Sequence, residues 1–270
     1  MLGVTDRPGP LRSSLVSCAC LLRGVPLFFC AAPRTPLRVL CIVALDTIQM
    51  LRGWPPLSRR RRNDLAAFLD FQACTNMVWD RKPFCAIAYA ELQRQLEKAG
   101  LGRWVTEYLH RLGALETRRP SPGGDVHRCA EVRSYREAVA RLSLATIAAI
   151  ATNAASIDEG IEATYRDRDI AILLRLAMQC QIMDDVIDYR TDLRAGLPTF
   201  LTASASLDDA LASTAHAARS YGGRRRRYAE RSALPFEVAL TVLTAVTHLL
   251  VLAPAARRRQ QPCAASGDSW

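Results

Sequence analysis

The residues best suited to chemistry lie in one stretch, QCQIMDDVIDYRTD, residues 179–192. On a helix, positions four apart share a face, so Asp184 and Asp188 line up and Asp192 continues the line if the helix lasts that far. Gln181 stands one turn before Asp184 on the same side. Ile182, Met183, Val186 and Ile187 are expected to cover the opposite, packing side. Asp184, Asp185, Asp188 and Asp192 have only Arg190 among them. Carboxylates one helical turn apart repel, at a cost of a few tenths of a kcal/mol per exposed pair. A divalent cation removes that conflict, and carboxylates on a rigid helix suit Mg²⁺, which keeps several waters and bridges to substrate phosphates. The alternative is a solvated acidic face.

The segment QIMDDVIDY resembles the second aspartate-rich motif, Q-x-x-D-D-x-x-D, of the class I isoprenoid synthases, closest to the trans-prenyl diphosphate synthases. The stretch 133–152 (RSYREAVARLSLATIAAIAT) is more similar to the squalene and phytoene synthase branch, where a Tyr-containing helix leads into small apolar residues. The resemblance spans roughly residues 41–222. It implies an all-α bundle around a central apolar cavity. It also implies that Asp184, Asp185 and Asp188 hold Mg²⁺ on an isoprenoid diphosphate.

The family carries a first acidic motif about a hundred residues earlier. The candidate is DFQACTNMVWDRK, residues 70–82, in which the usual D-D-x-x-D is absent. Asn76 and Asp80 stand at i, i+4, and an Asn oxygen ligates a hard cation without adding charge. Asp70 reaches that line only from its edge, and Lys82 stands ready for a phosphate. By the same resemblance Asp184, Asp188, Asp80 and Asn76 are the catalytic set. Arg136, Tyr135, Arg133, Lys82, Arg190 and Gln181 are the diphosphate contacts, since Arg forks match phosphate oxygens. Surface arginines of an Arg-rich chain are the plainer reading of each. The implied reaction is ionisation of an allylic diphosphate with release of pyrophosphate, followed by transfer to a second isoprenoid or by cyclisation. Phe71, Trp79 or Tyr189 would face the carbocation. A non-catalytic protein that keeps the fold and binds a prenyl diphosphate or a partner stays open.

These residues need helices to position them. Helical spacing covers 37–52, 59–80 (with Ser58 as N-cap), 84–99, 103–116, 130–156, 167–190, 204–220 and 236–252, and no period-2 run marks a strand. The fold class is therefore all-α. The small-residue run 142–155, with Asn153 near its end, is either a tightly packed core helix or the lining of a tunnel for an isoprenoid chain. Residues 236–252 read as a buried last helix rather than a membrane span, being short and carrying Glu237 and His248. One domain is placed over 37–252, with an irregular extension 1–36 and a disordered basic tail 253–270.

The net charge of +10 invites a polyanion partner, but it sits in the flanks: +4 over residues 1–40, +5 over 223–270 and +1 over the body. The runs Arg59–Arg62 and Arg224–Arg227 lack interleaved aromatics, which argues against nucleic acid. The nine cysteines form no C-x-x-C and read as free buried thiols of a reducing compartment, placing the chain in the cytoplasm. Residues 15–31 resemble part of a signal peptide, but Arg23, Gly24 and Pro26 interrupt the apolar run. No run of 18 apolar residues exists, so a stable membrane span is not expected and peripheral membrane contact stays open. Oligomeric state is not legible.

Overall fold

In a computed structural model the chain is helical, with no strand among the described residues, which are 10–24, 26, 36–124, 126–223 and 234–260. Eleven helices are described: α1 Pro10–Gly24, α2 Pro36–Leu51, α3 Arg59–Trp79, α4 Ala86–Lys98, α5 Gly102–Glu116, α6 Val126–Thr152, α7 Ile157–Arg166, α8 Arg168–Ile187, α9 Tyr189–Ala195, α10 Leu207–Gly222 and α11 Leu234–Gln260. Whereas the sequence reading placed one domain over 37–252, the chain divides into two compact units. The first takes Met1–Arg118, Glu137–Leu174 and Arg225–Ala239. The second takes Arg119–Arg136, Arg175–Arg224 and Leu240–Trp270.

In the first unit α1 packs on α2, α2 on α3, α3 on α4, α4 on α5 and α5 on α7. Ser58 caps α3 as expected, its hydroxyl accepting the Arg61 N–H at 3.1 Å. The buried face of α3 carries Leu65, Phe68 and Phe71, and Tyr108 of α5 closes on both rings edge-on. α7 was not foreseen. Ser156 caps it by accepting the Glu159 N–H, with Asp158 and Glu159 in the first turn where the helix dipole favours acids. Its Gly160 lies so close to α6 that an added Cβ would stand 2.1 Å from the Ala145 carbonyl oxygen.

Two terminal expectations are corrected. Residues 10–24 form a helix instead of an irregular extension. Cys20 is buried there, and Gly24 is buried against Val43, where any Cβ would clash at 2.5 Å. At the other end α11 continues past Pro254 to Gln260 rather than stopping at 252, because Ala and Arg are strong helix formers. Nor is α11 simply buried: Leu240, Thr247 and Val251 face inward, but Val242, Val246, Leu249 and Leu252 are exposed. Cys18, Cys20, Cys41, Cys74, Cys85, Cys129 and Cys180 are free thiols, yet only Cys20 and Cys74 are buried, and Cys18 and Cys85 are exposed. Cys30, Cys263, the Arg224–Arg227 run and residues 261–270 lie outside the described residues.

No single helix among the described residues is long and apolar enough to cross a membrane. One bent pair, Arg128–Thr152 with Ile157–Arg166 at 105°, passes by length and composition together.

Candidate functional site

The second unit contains the acidic stripe. Its positioning begins with the pitch of α8. Met178, Ile182 and Asp185 fall on one row of the helix and are all buried. The packing side is therefore this row, and of the expected set only Ile182 lies on it: Ile187 is largely exposed, and Met183 and Val186 are half-buried. Asp184 and Asp188 stand off that row, exposed and half-buried respectively. α8 stops at Ile187, and Asp188 (φ −90°, ψ 5°) makes a bend before α9. The bend ends the expected acidic line, and Asp192 is buried.

Asp185, 1% exposed, is held on both oxygens. Arg136 donates to Oδ1 at 2.6 Å, and the backbone N–H of Phe200 donates to Oδ2 at 2.8 Å. Burial raises its carboxyl to about 6, against the pull of Arg136 and of the Phe200 amide. The Phe200 amide belongs to a buried loop, Leu197–Ala203, which follows the left-handed Gly196 at the end of α9. Thr202 accepts the Thr199 N–H at 2.8 Å, and Thr202 and Ala205 bond the backbone of Gly123 and Gly124. Sequence reasoning placed Asp185 on a metal and Arg136 on a diphosphate. The structure commits them to each other and to this loop.

The remaining candidates of this unit are distributed as follows. Arg133 donates to the Tyr221 hydroxyl at 3.2 Å and to Ser220 at 2.9 Å, with its guanidinium 4.8 Å from the Tyr221 ring centre. It is thereby tied to α10. Tyr135 lies under the Arg119 guanidinium at 6.0 Å. Arg190 is exposed on α9. Gln181 is half-buried, and its Oε1 is a buried acceptor with no hydrogen-bond donor. Gln179 bridges elements, donating to Ala218 O at 2.8 Å and to the Thr244 hydroxyl at 3.1 Å.

Asn76, Asp80 and Lys82 belong to the first unit. Asp80 is the C-cap of α3, its N–H bonded to Asn76 O at 2.9 Å, and Lys82 lies two residues beyond in the turn. Asp70, which seemed peripheral, is fully buried and ion-paired with Arg38 of α2. Burial raises it to about 6 as well. Phe71 is buried in the aromatic cluster with Phe68, Tyr108 and Tyr89, which stacks on it at 5.3 Å. The run 142–155 packs closely at one point and lines a cavity at another. Ala145 touches Gly160, while Ala148, Ala149 and Ala151 line a cavity of about 150 Å³ with Leu45, Ile48 and Ile170. Asn153 is exposed, at φ 55°, and accepts from Arg61.

Among the described residues no three His, Cys, Asp or Glu side chains are grouped to hold a metal ion. The stripe itself offers two carboxylates, Asp184 and Asp188, on successive turns. That matches the one or two carboxylates through which Mg²⁺ is usually held when substrate phosphates complete its shell. Asp185 does not fit this use, because both its oxygens are taken. No protein family, curated protein or solved structure matches the chain.

Proposed function

We propose that the protein is a class I isoprenoid enzyme that ionises an allylic prenyl diphosphate, releases pyrophosphate and transfers the prenyl group. The observation that carries this reading is the sorting of the QIMDDVIDY segment. One aspartate is locked inside by Arg136 and the Phe200 amide, and the two at i, i+4 stand off its row, Asp184 exposed and Asp188 half-buried. A mere solvated acidic face would not place a carboxylate at the centre of a buried hydrogen-bonded junction, where it costs desolvation.

In this reading Asp184 and Asp188 hold Mg²⁺, which supplies Lewis acidity to the leaving diphosphate. Tyr135 and Arg190 serve the same anion. The Asp185–Arg136 junction fixes the helix and the Leu197–Ala203 loop against which the site is built. Gln181 has a buried acceptor to offer. A second reading, a non-catalytic protein that binds a prenyl diphosphate, is favoured by one observation: no D-D-x-x-D precedes the second motif, and Asp80 is a helix cap.

Incubating the full chain with C10, C15 and C20 prenyl diphosphates, with Mg²⁺ and with EDTA, tests both. Mg²⁺-dependent pyrophosphate release that is lost in Asp184→Ala supports the enzyme, and product masses separate transfer from cyclisation. Binding without release leaves the second reading. Neither release nor binding, in folded protein, overturns both.

A further inference from the structure

The turn between α3 and α4 holds Trp79 and Lys82, which the family resemblance assigned to a carbocation and a phosphate, among exposed apolar side chains. Val78, Trp79, Phe84 and Ile87 are all large apolar side chains at the surface, with Trp79 41%, Phe84 42% and Ile87 80% exposed. Asp80, Arg81 and Lys82 stand between them in sequence, a net charge of +1. The turn is fixed. Lys82 N–H bonds Met77 O at 2.9 Å and Arg81 N–H bonds Val78 O at 3.1 Å, the paired bonds of a Schellman helix stop. Phe84 packs edge-on against Tyr89, which stacks on the buried Phe71, so the exposed rings are anchored to the core.

The backbone carries a second signal. Position 81 has φ 53°, the left-handed conformation that a Schellman stop usually gives to glycine. An arginine there carries strain of roughly 1 kcal/mol. The chain places an exposed arginine two residues after Trp79, at a position of the turn where a Cβ is disfavoured.

We propose that this turn is a lipid-surface contact, which seats Trp79, Phe84 and Ile87 among the headgroups of an anionic bilayer. Tryptophan with flanking apolar residues suits the headgroup boundary, and adjacent Arg and Lys suit anionic lipid. The tip of a helical hairpin enters such a boundary without a complementary groove. The exposed apolar row of α11, Val238, Val242, Val246, Leu249 and Leu252, lacks an aromatic side chain for the headgroup boundary, although Arg257–Arg259 follow it in the same helix. The inference does not depend on the prenyl reading.

Co-sedimentation of the full chain with vesicles tests it, using phosphatidylcholine alone and phosphatidylcholine mixed with phosphatidylglycerol. The protein is expected to partition onto the mixed vesicles and to be released by salt. Ile87→Asp, at a position too exposed to affect folding, should weaken partitioning about tenfold or more. Arg81→Gly separates charge from fold. It should weaken partitioning about fivefold while raising the melting temperature, because glycine relieves the backbone. Leu249→Ser on α11 should leave partitioning unchanged. Failure to bind either vesicle overturns the proposal. So does loss in Leu249→Ser with none in Ile87→Asp, or an Ile87-dependent dimer in sedimentation velocity without vesicle binding.

Discussion

Asp70 and Asp185 are both buried, both face one arginine and both are raised to about 6, yet they are built for different ends. Asp70 and Arg38 are sealed on both sides, at 0% and 1% exposure, and the pair joins α2 to α3. The second oxygen of Asp70 has no hydrogen-bond donor. Asp185 uses both oxygens, and its partner Arg136 is 20% exposed, so one end of that pair is wet. The first pair is a closed internal tie. The second is a junction that a helix, an arginine and a loop all share, within reach of water. A site that must meet a charged ligand is more plausibly organised by the second arrangement, because an arginine already in contact with water can answer a change in its surroundings.

The sharpest way to break this comparison is to remove one partner from each pair. Arg38→Ala leaves a carboxylate sealed without its counter-ion and should cost about 3–5 kcal/mol. Arg38→Met with Asp70→Leu removes both charges and should recover most of that loss, since apolar replacement of a buried pair is often neutral. Urea unfolding followed by circular dichroism reads both. A double variant as unstable as the single one would show that the pair has a specific role that packing cannot replace.

Asp185→Asn comes next, at about 2–3 kcal/mol. The loss is smaller because Asn can still accept from Phe200 and because Arg136 can turn to water. Amide exchange should rise at Phe200–Thr202 ahead of the rest of the second unit. Uniform loosening across both units would contradict the local junction. Asp184→Asn, by contrast, should leave the stability measured by urea unfolding within about 0.5 kcal/mol of the parent, as an exposed position does.

How much of this could be read beforehand follows from distance along the chain. Helix spans were legible from spacing and caps, Ser58 included. The Ser156–Glu159 pattern of α7 was equally visible as a cap signature but was passed over, because the preceding run of small residues blurred where α6 ends. The i, i+4 relation of Asp184 and Asp188 was legible. That Asp185 shares the row of Met178 and Ile182 was also within reach of helical geometry, and an aspartate on an apolar row is itself a signal of a buried partner. Which partner it has was not legible: Arg136 is 49 residues away, and nothing local selects it over Arg133. The Arg38–Asp70 pair, 32 residues apart, was hidden for the same reason. The exposure of Ile187 followed from the same row, which leaves it opposite the core.

Two glycines extend the contrast between rigid and yielding contacts. At Gly160 an added Cβ meets the backbone of α6, which cannot turn aside. At Gly222 it meets the side chain of Thr244, at 2.3 Å from Cγ2. Gly160→Ala should therefore cost about 1–3 kcal/mol. Gly222→Ala should cost less, because Thr244 can change rotamer, though it holds a hydrogen bond from Gln179. Thermal melts of the two variants order them, and a reversal would mean that α6 and α7 separate more readily than their close approach implies.

A pH dependence bears on which pair is sealed. Asp70 has a folded value near 6, above its ordinary value of 3.8, because burial outweighs the attraction of Arg38. Between those limits the folded protein keeps a proton that the unfolded chain has released. Its contribution to stability is therefore full below pH 4 and is lost as pH rises toward 6. The urea midpoint measured at steps from pH 4 to 7 should carry this downward slope in the parent. The slope should be shallower in the Arg38→Met, Asp70→Leu protein, where Asp185 alone of the two remains. If the slopes are identical, Asp70 is not held above its ordinary range, and water reaches the pair. The distinction between the closed tie and the wet junction would then fail at its first term.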